Sequence, residues 1–127
     1  MPETVLDASA ILAVIQGEPG AKMVTAALQD ALILTVNYAE VVSKLVELGS
    51  SYQDADNAVQ KLAVPVIDFD LSLARRTGAL RGQTKDRGLS LADRACLALA
   101  ERQQTTVLTA DRRWLGAVPD IDVQLIR

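Results

Sequence analysis

Histidine is missing altogether from this 127-residue chain. Its absence removes the usual general base, the Ser-His-Asp triad, histidine-ligated zinc and the HExxH helix in one step. Cysteine is nearly missing: Cys96 stands alone on an apolar stretch, so there is no internal disulfide framework and no multi-cysteine zinc site. Its position reads as that of a small core residue. Any metal must therefore be held by oxygen, which suits Mg²⁺ or Mn²⁺, or Ca²⁺ where ligands are many and flexible. Aromatic side chains are scarce and scattered singly (Tyr38, Tyr52, Phe69, Trp114), so no interleaved platform for stacking single-stranded bases exists. No hydrophobic run reaches the length of a membrane span, and the apolar stretch from Ala8 to Ile15 is preceded by acids rather than bases. A cytoplasmic protein without membrane attachment is expected.

What is present is a half-apolar composition, 50%, which at this length implies one domain over residues 1–127 with a real core. The net charge of −3 hides an asymmetry, with ten acids against three bases in residues 1–70 and ten bases against six acids in residues 71–127. Six bases fall within twenty residues: Arg75, Arg76, Arg81, Lys85, Arg87 and Arg94. The first five are candidates for contacts to the phosphates of RNA. A solvated helix face with its loop is the competing reading of the same charges.

Along the chain, apolar strands alternate with helical segments. "TVLD" (4–7), "LILTV" (32–36), "VPVIDFD" (64–70), "TTVLTAD" (105–111) and "DVQLIR" (122–127) read as strands. Helices are expected from Ala8 to Gly17, Ala21 to Leu28, Asn37 to Gly49, Ser51 to Ala63, Leu71 to Gly82 and Ser90 to Ala100, with "QTKDRG" as a polar loop. The alternation predicts an α/β three-layer sandwich around a mainly parallel sheet.

Four acids fall at the edge where ligands gather in such sheets, beyond the carboxyl ends of the strands. Asp7 ends the first strand, Asp111 follows a later one, and Glu40 and Asp93 are expected in first helical turns. Each has a local alternative as a helix cap: Asn37 with Glu40 and Ser90 with Asp93 have capping-box spacing, and Asp7 suits an N-cap. Yet Asp7, Asp93 and Asp111 sit in stretches otherwise destined for the core, where an uncompensated carboxylate is costly. Carboxylates brought together repel unless a cation lies between them. A divalent cation there can bind phosphate oxygens and activate water, so phosphodiester hydrolysis is the chemistry that fits best.

At these residues the sequence also resembles a family. "VLDASAILAVI", "NYAEVVSKL", "GLSLADRACLALA" and "VLTADRRW", in this order and spacing, are similar to the PIN-domain ribonucleases, specifically the VapC toxins of VapBC toxin–antitoxin pairs. The resemblance spans essentially the whole chain. It implies that Asp7, Glu40, Asp93 and Asp111 hold Mg²⁺ or Mn²⁺, with Ser9 and Thr109 in supporting positions. It further implies endonucleolytic RNA cleavage, a homodimer, and inhibition by a VapB-type antitoxin whose C-terminal segment lies over the active-site groove. Two rival readings remain at this point, a phosphoacceptor receiver-like domain and a non-catalytic interaction domain. The first would need a paired acid after the opening strand and a lysine after a late one. Asp7 stands alone, and Lys22, Lys44, Lys61 and Lys85 all precede the late strand.

Overall fold

The computed structural model describes residues 3–127, so Met1 and Pro2 of the expected domain lie outside the described residues. Five strands form one sheet: β1 (Thr4–Leu6), β2 (Ala31–Leu34), β3 (Val66–Ile67), β4 (Thr106–Thr109) and β5 (Asp122–Leu125). Their order is β3-β2-β1-β4-β5, with every pairing parallel. Among the described residues seven helices flank it: α1 (Ala8–Gln16), α2 (Ala21–Ala27), α3 (Thr35–Glu47), α4 (Tyr52–Gln60), α5 (Leu71–Ala79), α6 (Arg81–Thr84) and α7 (Leu91–Gln103). The expected α/β sandwich around a parallel sheet is what the chain forms.

Successive strand residues face opposite sides, and the core divides accordingly. Val5, Leu34 and Val107 look toward Leu73, Leu80, Leu97, Leu99 and Trp114. Leu6, Ile33 and Leu108 look toward Ile11, Val24, Val41 and Val59. Each such fully buried side chain stabilises the fold by roughly 1.5–3 kcal/mol. Near-continuous apolar runs in β1, β2 and β4 follow from burial on both faces, as parallel sheets require. Helix α1 is bounded by Asp7 at its N-cap and by Gly17, whose φ of 66° few other residues adopt, as its stop. Gly20 is required differently: a Cβ there would lie 2.5 Å from the Ile126 carbonyl oxygen.

Four expectations need correction. β2 ends at Leu34, and Thr35 and Val36 open α3 instead of extending the strand. β-branching favoured a strand there, but Thr35 Oγ1 accepts the Phe69 amide (3.0 Å) and fastens the helix start to the segment after β3. Asn37 is therefore inside the helix, not its cap; Leu34 holds the cap position with no side-chain bond. β3 shrinks to two edge residues, in keeping with Pro65 just before it. The "QTKDRG" loop is helical, made of the end of α6 and a 3₁₀ turn over Lys85–Arg87.

Candidate metal centre

From β1 the chain moves outward through β2 to β3, then crosses back to β4 and β5 on the other side of β1. The crevice beyond the carboxyl ends of β1 and β4 is thus a topological switch point, the usual ligand position in open parallel sheets. Asp7 follows β1 directly, and Asp111 follows β4 after Ala110. Asp93 is at the third position of α7, and Glu40 is in the second turn of α3, not the first as expected. The two helices are tied there by Asn37, whose Nδ2 donates to both Glu40 Oε1 (2.9 Å) and the Ala92 carbonyl (3.3 Å).

Asp7 is the buried member, 5% exposed. Its Oδ1 accepts the Ala10 amide (2.9 Å) and Ser9 Oγ (2.6 Å), and its Oδ2 accepts Thr109 Oγ1 (2.6 Å). The two hydroxyls also accept from the backbone beyond β4: Ser9 Oγ from Ala110 N (2.8 Å), Thr109 Oγ1 from Asp111 N (3.0 Å). Ser9 and Thr109 thereby lock the ends of β1 and β4 together. Burial nevertheless pushes the Asp7 carboxyl up to about 6, against these hydrogen bonds and with the Asp93 charge adding to the rise. Glu40 is raised as well, first by burial and further by Asp93, while Asn37 opposes.

On the β4 side, capping and charge prevail. Ser90 and Asp93 form a reciprocal capping box, Asp93 N donating to Ser90 Oγ (3.1 Å) and Ser90 N to Asp93 Oδ2 (2.9 Å). Asp111 caps a 3₁₀ turn over Arg112–Trp114 by accepting the Arg113 amide (2.9 Å). The Arg113 side chain then folds back on it, Nη2 donating to Oδ2 (2.6 Å) and Nε to Oδ1 (3.0 Å). Arg113 holds the Asp111 carboxyl below its ordinary range. Trp114, wholly buried, anchors this turn in the core.

Asp7 and Asp111 follow β1 and β4, and Asp93 and Glu40 sit on α7 and α3, but among the described residues no three such side chains converge into a ready coordination shell. Each carboxylate is engaged instead by its own local donors. The residues nonetheless fit a hard divalent cation. All donors are oxygens, the Asp93 charge reaches Asp7, Glu40 and Arg113, and Glu40 Oε2 and Asp93 Oδ1 accept no hydrogen bond among the described residues. Cys96 lies buried beneath, where burial and the charges of Asp7, Glu40 and Asp93 push its thiol up, out of the reactive range.

Of the five candidate phosphate contacts, Arg75, Arg81 and Lys85 are exposed and make no ion pair among the described residues. Arg76 is already engaged, its guanidinium bidentate on Glu101 (2.5 and 2.8 Å). Arg87 donates to the carbonyls of Leu115 (2.6 Å) and Arg113 (3.3 Å), stitching the turn before α7 to the one after β4. One participant, Arg113, has no role in the sequence reading, and a second, Asn37, has a different one. Arg113 lies two residues beyond Asp111, a spacing that a 3₁₀ turn brings within reach, and Asn37 was read as a cap.

The family model described as PIN domain matches residues 4–119 of this chain. No curated protein matches it by sequence. Solved structures similar to it include VapBC2 from Rickettsia felis bound to a DNA fragment from their promoter, at 15% identity and a TM-score of 0.76, covering 96% of this chain and 97% of that one. DNA-bound VapBC from Salmonella typhimurium is 19% identical with a TM-score of 0.76 over 100% of both chains. VapBC-5 from Mycobacterium tuberculosis, a member of the VapBC family of toxin-antitoxin systems, is 19% identical with a TM-score of 0.62 over 100% of this chain and 99% of that one. At these identities the likeness is one of fold.

Proposed function

The chain belongs to the PIN domain family, and from that premise we propose that it is a Mg²⁺- or Mn²⁺-dependent endoribonuclease, the toxin of a type II toxin–antitoxin pair. Asp7, Glu40, Asp93 and Asp111 hold the cation. Ser9 and Thr109 fix the Asp7 carboxyl between β1 and β4. The bound cation supplies Lewis-acid activation of a phosphodiester and of the attacking water. Asn37 keeps Glu40 turned toward the crevice, and the capping box holds Asp93 at the start of α7. Arg75, Arg81 and Lys85 contact RNA phosphates, with Arg76 and Arg87 contributing beside their structural bonds.

What supports the reading is that Asp7 and Asp111 follow the neighbouring parallel strands β1 and β4 at the switch point, with the Asp93 charge felt at both Asp7 and Glu40, in a chain with no histidine. Glu40 also lines a groove of about 470 Å³ between α1 and α3, with Leu12, Val36 and Ala39. Such a groove suits a segment of a VapB-type antitoxin, and one similar solved structure is a toxin–antitoxin complex from Klebsiella pneumoniae. A homodimer in the cytoplasm completes the proposal; no described helix is long and apolar enough to cross a membrane. The test is cleavage of labelled RNA by purified protein in Mg²⁺ or Mn²⁺, with Asp7→Asn as the control for contaminating nuclease. Zinc should be dispensable and EDTA should stop the reaction. Undiminished cleavage in excess EDTA, or none in either metal, would overturn it.

A further inference from the structure

Arg113 is placed where a cation is wanted. Its guanidinium binds Asp111 through two nitrogens, donates Nη1 to the Gly88 carbonyl (3.1 Å), and brings Nη2 to 3.9 Å from Asp93 Oδ2. One positive charge thus lies between the two carboxylates of the β4 side. The side chain is 54% exposed, whereas those of Asp111 and Asp93 are 26% and 19% exposed. It is the most exposed of the three partners. Its backbone is held independently, by Arg87 on the Arg113 carbonyl and by buried Trp114 next in sequence. The guanidinium can leave without unfolding the turn.

We infer that Arg113 is a built-in placeholder cation, which pairs with Asp111 and Asp93 in the metal-free protein and must be displaced for a divalent ion to bind. The inference rests on the metal-binding reading proposed above. Both cations need the same Asp111 oxygens, and a carboxylate saturated by a bidentate guanidinium presents few free lone pairs. Binding is consequently an exchange of one cation for another, and metal affinity is set below what the four acids alone would give. An exposed pair of this kind is a weak competitor, so its removal should tighten binding by roughly three- to fivefold.

The experiment compares Mn²⁺ dissociation constants by calorimetry in the full chain, wild type against Arg113→Gln and Arg112→Gln. Arg112 is the adjacent exposed arginine and makes no bond to the acids among the described residues, so it controls for net charge. The expected result is tighter binding for Arg113→Gln and at most a twofold change for Arg112→Gln. Unchanged or weaker binding by Arg113→Gln, or equal tightening in both, overturns the placeholder while leaving the metal centre intact. Absence of Mn²⁺ binding in all three overturns both. A second readout needs no variant: the Arg113 Nε–H resonance, protected by Asp111, should shift and broaden as wild-type protein is titrated with diamagnetic Mg²⁺. A resonance indifferent to saturating Mg²⁺ would equally overturn it.

Discussion

Asp7 and Asp111 stand beyond the ends of neighbouring strands, yet their carboxyls titrate in opposite directions. Burial pushes Asp7 up to about 6, while the Arg113 guanidinium holds Asp111 below the ordinary carboxylate range. Asp7 accepts three hydrogen bonds and Asp111 rests largely on one arginine. The difference teaches that neutral donors do not replace a counter-charge once a carboxylate leaves water. The β1 side of the crevice, with Asp7 and Glu40, is short of positive charge; the β4 side carries its own.

The sharpest way to break this comparison is Asp7→Asn. Under the proposed function, cleavage should fall by about 10²–10³-fold or more, as when a group stabilising the transition state is lost, and an RNA cleavage assay reads it directly. The same variant should gain stability without metal. A raised carboxyl pKa favours the fold below the unfolded value of 3.8, and that contribution is lost as pH rises through about 6. In EDTA at pH 7, Asp7→Asn should therefore exceed wild type by up to about 3 kcal/mol, and the gap should close toward pH 4. Urea unfolding at both pH values checks the sign, and a gap that widens on acidification would contradict the burial argument.

Asn37→Ala tests the other charge-poor member. It leaves the Ala92 carbonyl and Glu40 without their shared donor and should cost about 1–3 kcal/mol, measured by the same denaturation. Asp93→Ala should cost about 1 kcal/mol for its capping box and lower the Asp7 pKa, because the Asp93 charge is one cause of its elevation. A carboxyl NMR titration that finds Asp7 unmoved would disconnect the two sides. The smallest effect concerns the basic flank. Neutralising Arg75, Arg81 and Lys85 together should reduce the slope of log affinity for RNA against log salt by about 0.7 per lost phosphate contact. Arg76→Gln should change that slope less, since its charge is already spent on Glu101.

Much of this arrangement was legible in the sequence. Alternating apolar strands and capped helices specified the parallel sandwich, and three acids in core-like stretches marked Asp7, Asp93 and Asp111 for attention. At Asp93 the structure shows the cap, and it leaves a ligand oxygen over, because Oδ2 serves the box while Oδ1 accepts no hydrogen bond among the described residues. What escaped depended on tertiary context. Thr35 and Val36 have strand propensity but open a helix, Asn37 has cap spacing but lies buried in α3, and Arg113 acquires its role only after the 3₁₀ turn folds it back. The partners of Arg76 and Arg87 lie 25 to 29 residues away in sequence, beyond any local pattern.

The hydrogen bond from Thr109 to Asp7 spans 102 positions, and it has a kinetic meaning. Parallel pairing of β1 with β4 cannot occur until residues 106–109 have been synthesised, and such distant contacts form slowly. Helices α1 and α3 can gain structure from local contacts much earlier, carrying Asp7 and Glu40 with no crevice between them. A nascent chain on the ribosome thus holds Asp7, Glu40 and Asp93 before β4 and Asp111 exist to pair with β1. In refolding experiments, Mn²⁺ binding should return with the slowest native phase rather than with the early helical signal.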